Sequence, residues 1–504
     1  MTSNRNFDVL LIGSGFGGSL LATILSRQGM SVAVVDRARH PRFAIGESST
    51  PAADLLLRVL TKQYDLPELR PLCRFGSWRE TYPDVLCGCK RGFSYFWHAG
   101  PHGFQPDDHR HELLVAANAS RDVADTQWYR PDVDQLLASV AQRWGVTLFE
   151  AAEIRQIEHL REHNWTVTIE QADRPCRLSA AFVIDASGSA GLLLNHLQVA
   201  DITGQLRTRS SAVYSHFWDT QPIGDWLSLH NVPTADHPYP CRDSVIHHLF
   251  DDGWLWQIRF ENDLTSLGYV SPDVAAHQSA DARWANVVKQ HPELHDILGT
   301  PRLADVPGQI LASGRLQRLR ASAAGLDWAA LPNSAGFIDP LHSTGNAHTL
   351  AGIERLAGLL LTSTGKTRAD RLARYSNELL DQLFLIDRLV AGCYRSLGDF
   401  RLFAAWSMLY FAAATTFEKR LLAAADTVSE NLPGYLCADD ERLTEMVSEQ
   451  YDALEHVTHA DNSASENGVI EFCQQLRKAV EPFNHVGLFA PALPNMYRYT
   501  AAAK

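Results

Sequence analysis

One lysine of this chain lies beside a large amount of aromatic surface. Lys90 is in the segment CGCKRGFSYFWH (residues 87–98), whose aromatic residues are Phe93, Tyr95, Phe96 and Trp97. If these rings bury the amine, the loss of water disfavours the ammonium and lowers the lysine pKa, as an amine nucleophile requires. The simpler interpretations are a solvated lysine at a strand start and a local cation–π contact worth about 1 kcal/mol. The segment alone does not separate the three.

A second segment predicts a strand that carries two indole rings. Residues 247–260 read HHLFDDGWLWQIRF. Because side chains alternate along a strand, we expect Trp254, Trp256 and Ile258 on one face. These residues either line a site for an aromatic molecule or pack in the core of a sheet.

A third segment joins a small polar turn to a predicted helix. In NSAGFIDPLHSTGNAHTLAGIERLA (residues 333–357), Ser343, Thr344 and Gly345 directly precede the helical pattern of residues 347–356. The N–H groups at a helix start point outward and bind anions. An ordinary helix start with Ser343 or Thr344 as N-cap explains the same residues.

The N-terminal part of the chain predicts a dinucleotide site. Residues 7–36 have a strand–turn–helix–strand pattern that contains G-x-G-x-x-G at Gly13, Gly15 and Gly18 and ends in the acid Asp36. These glycines permit a tight turn, close approach of a pyrophosphate and close packing of helix on strand. The helix start supplies free N–H groups, and the acid accepts hydrogen bonds from a ribose. A glycine triplet in this setting is a strong signal.

Three later segments favour FAD over NAD as the nucleotide. HPRFAIGES (residues 40–48), WYRPDVDQLL (residues 128–137) and AAFVIDASGSAG (residues 180–191) resemble, in this order, flavin-contacting segments of large FAD oxidases and hydroxylases. The residues expected at the cofactor are Gly13, Gly15, Phe16, Gly17, Gly18, Asp36, Arg37, Arg42, Ile45, Gly46, Arg130, Asp185, Gly188, Asp339, Gly345 and Asn346. A second glycine triplet is absent from the sequence. We therefore expect reduced FAD from a separate NAD(P)H-dependent flavin reductase, or transient binding of NAD(P)H.

The segments together resemble one enzyme family, the flavin-dependent halogenases. The likeness is carried by CGCKRGFSYFWH, GWLWQI and GFIDPLHSTG, in this order after GSGFGG, and extends through most of residues 1–360. It is closest to the branch that acts on free phenols of the phloroglucinol type. In this family, reduced FAD, oxygen and chloride or bromide give hypohalous acid, and a lysine delivers the halogen to an electron-rich ring.

The resemblance implies a role for individual residues. Lys90 and Ser343 are the expected catalytic residues, and Thr344 and Gly345 are the expected halide-binding residues. The residues expected in the substrate pocket are Phe93, Tyr95, Trp97, Trp254, Trp256, Ile258 and His342. Whether the lysine acts as a neutral amine that carries halogen or as an ammonium that hydrogen-bonds hypohalous acid stays open.

Two positions depart from the family or leave a role undecided. Arg259 follows Ile258 where the family has proline, so a charge near the pocket is one expectation for it. His342 is either a base for a substrate proton or a packed, hydrogen-bonded residue. Glu47 is expected to be structural.

The alternative functions are an FAD-dependent aromatic hydroxylase and a non-halogenating flavoprotein relative.

Composition sets the class of protein and its surroundings. The chain has 504 residues, a net charge of −13 and no basic block, which argues against nucleic acid or membrane partners. Its eight cysteines form no pair of C-x-x-C units, so we expect no metal site, no disulfide framework and a cytoplasmic location. We expect a monomer or homodimer.

The expected fold class is α/β. A Rossmann-type FAD-binding module of the large flavin monooxygenase and halogenase type would occupy residues 1–365 discontinuously. A substrate β-sheet would be inserted at about 75–110 and 205–300. A helical C-terminal region, residues 366–504, would cover the substrate side.

Overall fold

The computed structural model describes residues 4–98, 103–106, 108–161, 163–272, 278–426, 432–459, 465–498 and 500. Its strands are β1 (Asn4–Ile12), β2 (Val32–Val35), β3 (Cys87–Lys90), β4 (Gly92–Trp97), β5 (Glu112–Ala116), β6 (Asp125–Trp128), β7 (Thr147–Phe149), β8 (Ala152–Arg161), β9 (Asn164–Gln171), β10 (Arg174–Asp185), β11 (Ser210–Thr220), β12 (Val245–Phe250), β13 (Gly253–Arg259), β14 (Thr265–Pro272), β15 (Gly299–Leu303), β16 (Leu311–Arg315), β17 (Arg318–Leu319), β18 (Trp328–Ala330), β19 (Gly336–Phe337) and β20 (Met496–Tyr497).

The helices fill the chain between the strands and make up most of its C-terminal part. They are α1 (Phe16–Arg27), α2 (Pro51–Gln63), α3 (Phe75–Thr81), α4 (Arg130–Arg143), α5 (Leu192–His196), α6 (Ile223–Leu229), α7 (Ala280–Gln290), α8 (Leu294–Leu298), α9 (Pro332–Ala335), α10 (Thr344–Thr362), α11 (Gly365–Arg395), α12 (Phe400–Asp426), α13 (Glu441–His459) and α14 (Glu466–Val480). None of the helices in the described ranges combines the length and apolar character that a bilayer crossing needs.

The first sheet has the order β7-β2-β1-β10-β9-β8, with β18 beside β10. Strand β1 pairs in parallel with both β2 and β10. Their continuous apolar runs fit a sheet that is covered on both faces. Ile12, at the carboxyl end of β1, is level with Val35 on one side and Asp185 on the other. The strand ends thus bring the predicted nucleotide residues to one edge, which confirms the Rossmann-type α/β fold.

The second sheet has the order β15-β11-β14-β13-β12-β4-β5-β20, with β16 beside β11. It takes strands from within residues 75–110 and 205–300 and also from outside those two ranges. Strand β3, which ends at Lys90, belongs instead to a separate two-stranded ladder with β6. Only Arg91 separates Lys90 from β4, so the lysine lies at the junction between the ladder and the larger sheet.

The helical C-terminal region packs on the second sheet through α12. Its residues Phe403, Tyr410 and Phe411 make ring contacts with Phe93 and Tyr95 of β4. The same helix also packs against α2 and α14. One aromatic face of the sheet is therefore covered by a helix and not exposed to solvent.

Candidate active site around Lys90

The Lys90 amine is buried in a polar and aromatic niche. Its Nζ donates hydrogen bonds to Ser48 Oγ at 2.8 Å and to the Ser49 carbonyl oxygen at 2.6 Å. It also lies 3.9 Å from the ring centroid of Phe93. The side chain is 0% exposed. Of the three interpretations open from sequence, the solvated lysine is excluded, and the cation–π contact accompanies burial.

Burial sets the protonation behaviour of this amine. It lowers the pKa of Lys90 to about 7, while the carboxylates of Asp125 and Asp54 act in the opposite direction. Near neutral pH the group is therefore present both as ammonium and as free amine. Free amines are nucleophiles and ammonium groups donate hydrogen bonds, so both chemistries are available at this position.

Ser48 connects Lys90 to Ser343. The Ser343 hydroxyl donates to Ser48 Oγ at 2.9 Å, the same oxygen that accepts from the lysine. The two expected catalytic residues, Lys90 and Ser343, are thus linked indirectly, through Ser48. Ser48 is absent from the predicted site residues, although it is the last residue of the flavin-contacting segment HPRFAIGES (residues 40–48). The contact joins residues 48, 90 and 343, and no local pattern predicts such a junction.

The start of α10 adjoins this hydroxyl chain. Ser343 is in the left-handed region with φ of 54°, and in the described structure its side chain does not cap the helix. The Ser343 hydroxyl bonds Ser48 instead, which excludes the ordinary N-cap by this serine that the sequence left open. Asn346 Nδ2 donates to the Ser48 carbonyl at 3.4 Å. The first N–H groups of α10, at Thr344 and Gly345, therefore lie next to Ser48, and a helix start of this kind attracts anions.

Gln127 is a second polar side chain on the lysine face of the ladder. Gly88 is its ladder partner, two residues from the Lys90–Asp125 pair, so the glutamine and the lysine point to the same side. It is 0% exposed, yet its amide nitrogen and oxygen have no hydrogen-bond partner among the described residues. Buried amides are normally satisfied, so an unpaired one indicates a place where a small polar molecule binds.

The aromatic wall beside the lysine comes from alternate residues of β4. Phe93 and Tyr95 stack with centroids 6.3 Å apart and planes within 5°. Phe96 points to the other face, where it packs on Trp226 at 5.7 Å, so its expected contribution to the lysine wall is wrong. Strand alternation alone required this result. Trp97 donates its Nε1 hydrogen to the Leu397 carbonyl at 2.8 Å and lies at the far end of the wall.

The two indoles of β13 share one face, as predicted. Their ring centroids are 6.1 Å apart, and both side chains are buried together with Ile258. Trp254 Nε1 donates to the Tyr394 hydroxyl at 3.0 Å, which ties the strand to α11. Trp256 lies flat over β14 because Gly268 faces it: a Cβ there would come within 2.2 Å of the indole.

Arg259 lies on the opposite face of β13 from the indoles. Its guanidinium pairs with Asp263 at 3.0 Å and donates to Thr220 Oγ1 at 3.3 Å. The side chain alternates with Ile258, which points toward the indole side. The expected charge near the aromatic pocket is therefore wrong for this residue.

His342 is enclosed by aromatic rings and is neutral. Its ring stacks on Tyr410 with centroids 4.2 Å apart and planes within 4°. Burial, together with the nearby Lys90 charge, lowers its pKa to about 3. Its Nε2 is 3.3 Å from Cys393 Sγ, and its Nδ1 is 3.5 Å from the Tyr95 hydroxyl. An unprotonated imidazole so placed accepts hydrogen bonds and is a weak base.

The predicted nucleotide edge has the glycine geometry that a pyrophosphate requires. Gly13 has φ of +110°, and a Cβ there would lie 2.4 Å from the Ala186 carbonyl oxygen. A Cβ at Gly18 would lie 2.0 Å from the Gly13 carbonyl oxygen. Helix α1 starts after Gly15 without a side-chain cap in the described structure, which leaves its first N–H groups available.

A cationic side chain lies at the start of α1. A Cβ on Gly15 would be 3.6 Å from Arg42 Nη2. Arg42 is mostly buried and lies 3.4 Å from Asp36 and 3.7 Å from Asp134, but its Nε has no partner among the described residues. An unpaired guanidinium nitrogen beside an uncapped helix start fits the phosphates of FAD. Arg130 is paired with Asp134 at 2.8 Å.

Two predicted cofactor acids make contacts within the protein instead. Asp185 accepts hydrogen bonds from the backbone N–H groups of Ser187 at 2.9 Å and Leu193 at 2.8 Å, which shapes the turn after β10. Asp339 accepts from Ser210 Oγ at 2.8 Å and from the Tyr394 hydroxyl at 2.9 Å. Burial raises the pKa of Asp339 to about 6.

The other predicted cofactor residues divide between the nucleotide edge and the surface. Asp36 accepts a hydrogen bond from the Ser14 backbone N–H at 2.8 Å. Burial raises the pKa of Asp36, but hydrogen bonds from Ala38 and Ser14 and the Arg42 charge lower it, and the net result is a pKa below the usual value. Those at or beside the glycine turn are Phe16, Gly17, Gly46 and Arg130, and Gly188 is in the turn after β10. Arg37 and Ile45 are exposed.

Glu47 and His216 link the nucleotide module to the second sheet. The His216 Nε2 atom is 2.6 Å from Glu47 Oε1, and both side chains are buried. Glu47 precedes Ser48, and His216 is in β11. The structural role expected for Glu47 agrees with this contact. No local pattern points to His216, because its partner is 169 residues away.

Known proteins resemble this chain over most of its length. The family model described as tryptophan halogenase matches residues 127–395, and that of an NAD(P)-binding Rossmann-like domain matches residues 11–64. The chain is 26% identical over 495 residues to the monodechloroaminopyrrolnitrin halogenase PrnC of Pseudomonas fluorescens, which covers 92% of this chain and 83% of that protein. It is 26% identical over 454 residues to the tetracycline 7-halogenase of Kitasatospora aureofaciens, covering 85% and 77%.

A solved structure has the same overall architecture. Halogenase PltM in complex with phloroglucinol and FAD superimposes with a TM-score of 0.82 and 25% sequence identity. The match covers 95% of this chain and 96% of that one. The likeness therefore includes both sheets and the helical C-terminal region.

Proposed function

Because this chain belongs to the flavin-dependent halogenases, we propose that it halogenates a free phenol with reduced FAD, oxygen and chloride or bromide, through hypohalous acid delivered by Lys90. The observation that carries the proposal is the fully buried Lys90 amine, hydrogen-bonded to Ser48 and facing an aromatic wall. Hydroxylation of an aromatic ring would leave this buried amine without a role.

The nucleotide edge holds the cofactor in this proposal. The uncapped start of α1 and the unpaired Nε of Arg42 bind the pyrophosphate, and Asp36 lies at the ribose end. Bound in reduced form, FAD supplies with oxygen the two-electron oxidation that turns halide into hypohalous acid. A separate NAD(P)H-dependent reductase supplies the reduced flavin.

The start of α10 provides the halide site. Its first N–H groups, at Thr344 and Gly345, are not capped by Ser343 and lie beside the hydroxyl of Ser48. The unpaired amide of Gln127 lies on the same face as Lys90 and offers hydrogen bonds to hypohalous acid on its way to the amine. Protein groups thus mark a polar route that ends at the lysine.

Lys90, Ser48 and Ser343 form a hydrogen-bonded group at the reacting amine. The free-amine form takes halogen from hypohalous acid: the nitrogen–halogen bond forms as the oxygen–halogen bond breaks, and the displaced hydroxide leaves as water with one amine proton. The ammonium form donates a hydrogen bond to hypohalous acid. The Ser48 hydroxyl accepts from both Lys90 and Ser343, so it holds the amine in one orientation toward the wall. A pKa near 7 keeps both forms accessible at neutral pH.

In this proposal, the phenol binds on the far side of the amine. Phe93 and Tyr95 offer stacked ring surface, and Trp254 and Trp256 continue it. Neutral His342 is suited to accept a hydrogen bond from a phenolic hydroxyl and so to raise the electron density of the ring. The phloroglucinol complex of PltM supports this substrate class. Arg259, which would have favoured a charged substrate, points away from the wall.

Product mass tests the proposal directly. Purified chain is incubated with FAD, a flavin reductase, NADH, oxygen, a panel of resorcinol- and phloroglucinol-type phenols, and either chloride or bromide. We expect a halogen isotope pattern that is lost in Lys90→Ala while oxidation of reduced FAD continues. A product 16 mass units heavier, formed without halide, would establish the hydroxylase instead. We expect the same chain to be a monomer or homodimer in the cytoplasm.

A further inference from the structure

Three potential metal ligands meet on the second sheet, away from the lysine. They are His109, before β5, Glu112, at the start of β5, and His237, in the loop between α6 and β12. One ligand atom from each lies within 4.8 Å of the others. His109 Nδ1 contacts Glu112 Oε1, and His237 Nε2 is 3.2 Å from Glu112 Oε2. The side chains of all three are nearly inaccessible to solvent, at 5%, 3% and 3% exposure.

The second nitrogen of each imidazole faces another polar group. His109 Nε2 is 3.6 Å from the Asp236 carboxylate, and His237 Nδ1 is 3.4 Å from Cys241 Sγ. Both rings therefore turn their remaining nitrogen toward Glu112. Metal-binding histidines have this arrangement, in which an outer partner fixes the ring and the tautomer.

One oxygen of the Glu112 carboxylate lacks a hydrogen-bond donor among the described residues. Glu112 is 2% exposed, and its Oε2 has no hydrogen bond of good geometry among the described residues. A buried carboxylate oxygen without a donor is costly, and a cation would satisfy it. Two neutral imidazoles and one carboxylate form a ligand set that suits Zn²⁺ and related divalent metals.

We propose that His109, Glu112 and His237 bind a divalent transition metal ion, with Zn²⁺ as the preferred ion. Tetrahedral bonds of about 2.0–2.1 Å place ligand atoms about 3.3 Å apart. The His237–Glu112 separation of 3.2 Å is close to this value, and His109 Nδ1 is in direct contact with the other carboxylate oxygen. A fourth position is left for water, since His237 also lines a surface cleft of about 690 Å³.

The site is separate from the proposed halogenation chemistry. Glu112 is paired with Phe96 across β4 and β5, so it faces away from Phe93 and Tyr95. The metal fastens the segment before β5 to the loop that precedes β12, on the outer face of the sheet. Its role is structural, and its loss leaves the chemistry at Lys90 in place.

Metal titration of the tag-free full chain tests the inference. After EDTA treatment and desalting, Zn²⁺ is titrated in competition with a chromophoric chelator. We expect one Zn²⁺ per chain and affinity at least 100-fold weaker in Glu112→Gln and His237→Gln. The matched control His295→Gln, at an exposed histidine of α8, retains full affinity. Binding of less than one tenth of an equivalent, or equal binding by the variants, overturns the proposal.

A spectroscopic measurement on the unmodified chain covers the case in which the variants misfold. Co²⁺ replaces Zn²⁺ and reports its ligands through visible absorption. We expect d–d bands of a four-coordinate nitrogen and oxygen site that disappear on addition of one equivalent of Zn²⁺. Bands of six-coordinate Co²⁺, or bands that Zn²⁺ does not displace, refute the assignment. FAD fluorescence measured in parallel shows whether the nucleotide module is intact.

Discussion

Replacement of Ser48 by alanine perturbs Lys90 without touching the aromatic wall. The amine keeps its 2.6 Å hydrogen bond to the Ser49 carbonyl and loses the 2.8 Å bond to Ser48. A hydrogen bond from a charged donor contributes about 1.5–3 kcal/mol, against about 1 kcal/mol for a neutral one. The difference, about 0.5–2 kcal/mol, favours the ammonium, and about 1.36 kcal/mol corresponds to one pKa unit. Ser48→Ala should therefore lower the pKa of Lys90 by about one unit.

The pH dependence of halogenation measures this shift. Single turnovers with chemically reduced FAD, followed by mass spectrometry from pH 5.5 to 9, avoid the pH dependence of a reductase. We expect the wild-type rate to change near pH 7, where Lys90 titrates, and the Ser48→Ala profile to change about one unit lower. The control is Ser94→Ala, which removes a buried, hydrogen-bonded hydroxyl on the face of β4 opposite Phe93 and Tyr95. Its profile should coincide with wild type.

Two results would refute the reasoning. If the Ser48→Ala profile has the wild-type inflection, the serine does not bond the reacting amine. If the inflection moves to higher pH, the hydroxyl favours the free amine, contrary to the contact described. A lower rate without a shift would mean that Ser48 only positions Ser343.

Three further perturbations follow from the same contacts. Lys90→Met should abolish halogenation and raise the thermal midpoint at pH 7. Folding lowers the pKa of Lys90 from 10.5 to about 7, so the buried ammonium destabilises the fold, and this lost stability is recovered only as pH rises from about 7 toward 10.5. A lower midpoint would contradict a burial penalty. Gly268→Ala should destabilise the fold by about 1–3 kcal/mol in urea unfolding, because its Cβ meets the Trp256 ring, whereas Gly314→Ala, with open space around it, should change little. Arg42→Gln should weaken FAD binding about tenfold in a fluorescence titration. Arg39→Gln, at an exposed arginine, is the control and should bind FAD as the wild type does. Equal affinities of Arg42→Gln and wild type would show that Arg42 does not bind the phosphates.

The parts of the structure that follow local rules were predictable. The glycine turn before α1 has a fixed spacing, so the pattern of residue types correctly predicts Gly13 and Asp36 at the same sheet edge. Period-two alternation correctly puts Trp254 and Trp256 on one face. The same rule, applied to β4, would have removed Phe96 from the lysine wall.

The parts that depend on long-range contacts were not predictable from residue types. Ser48 reaches Lys90 across 42 residues and Ser343 across 295, and serine is too common for either contact to stand out. Asp339 is a predicted cofactor residue, and no local pattern indicates that its carboxylate accepts a hydrogen bond from Ser210, 129 residues away. His237 likewise meets Glu112 across 125 residues, with no spacing that matches a metal motif.

The segment of residues 45–48 belongs to two binding sites at once. Its backbone carbonyls accept from Arg130, beside the start of α1, while its last residue contacts the Lys90 amine. Under the proposed function, any shift that bound flavin causes in the pKa of Lys90 has a reciprocal effect on flavin affinity. For every unit by which bound flavin moves the lysine pKa, proton uptake by the lysine must change flavin affinity about tenfold in the matching direction.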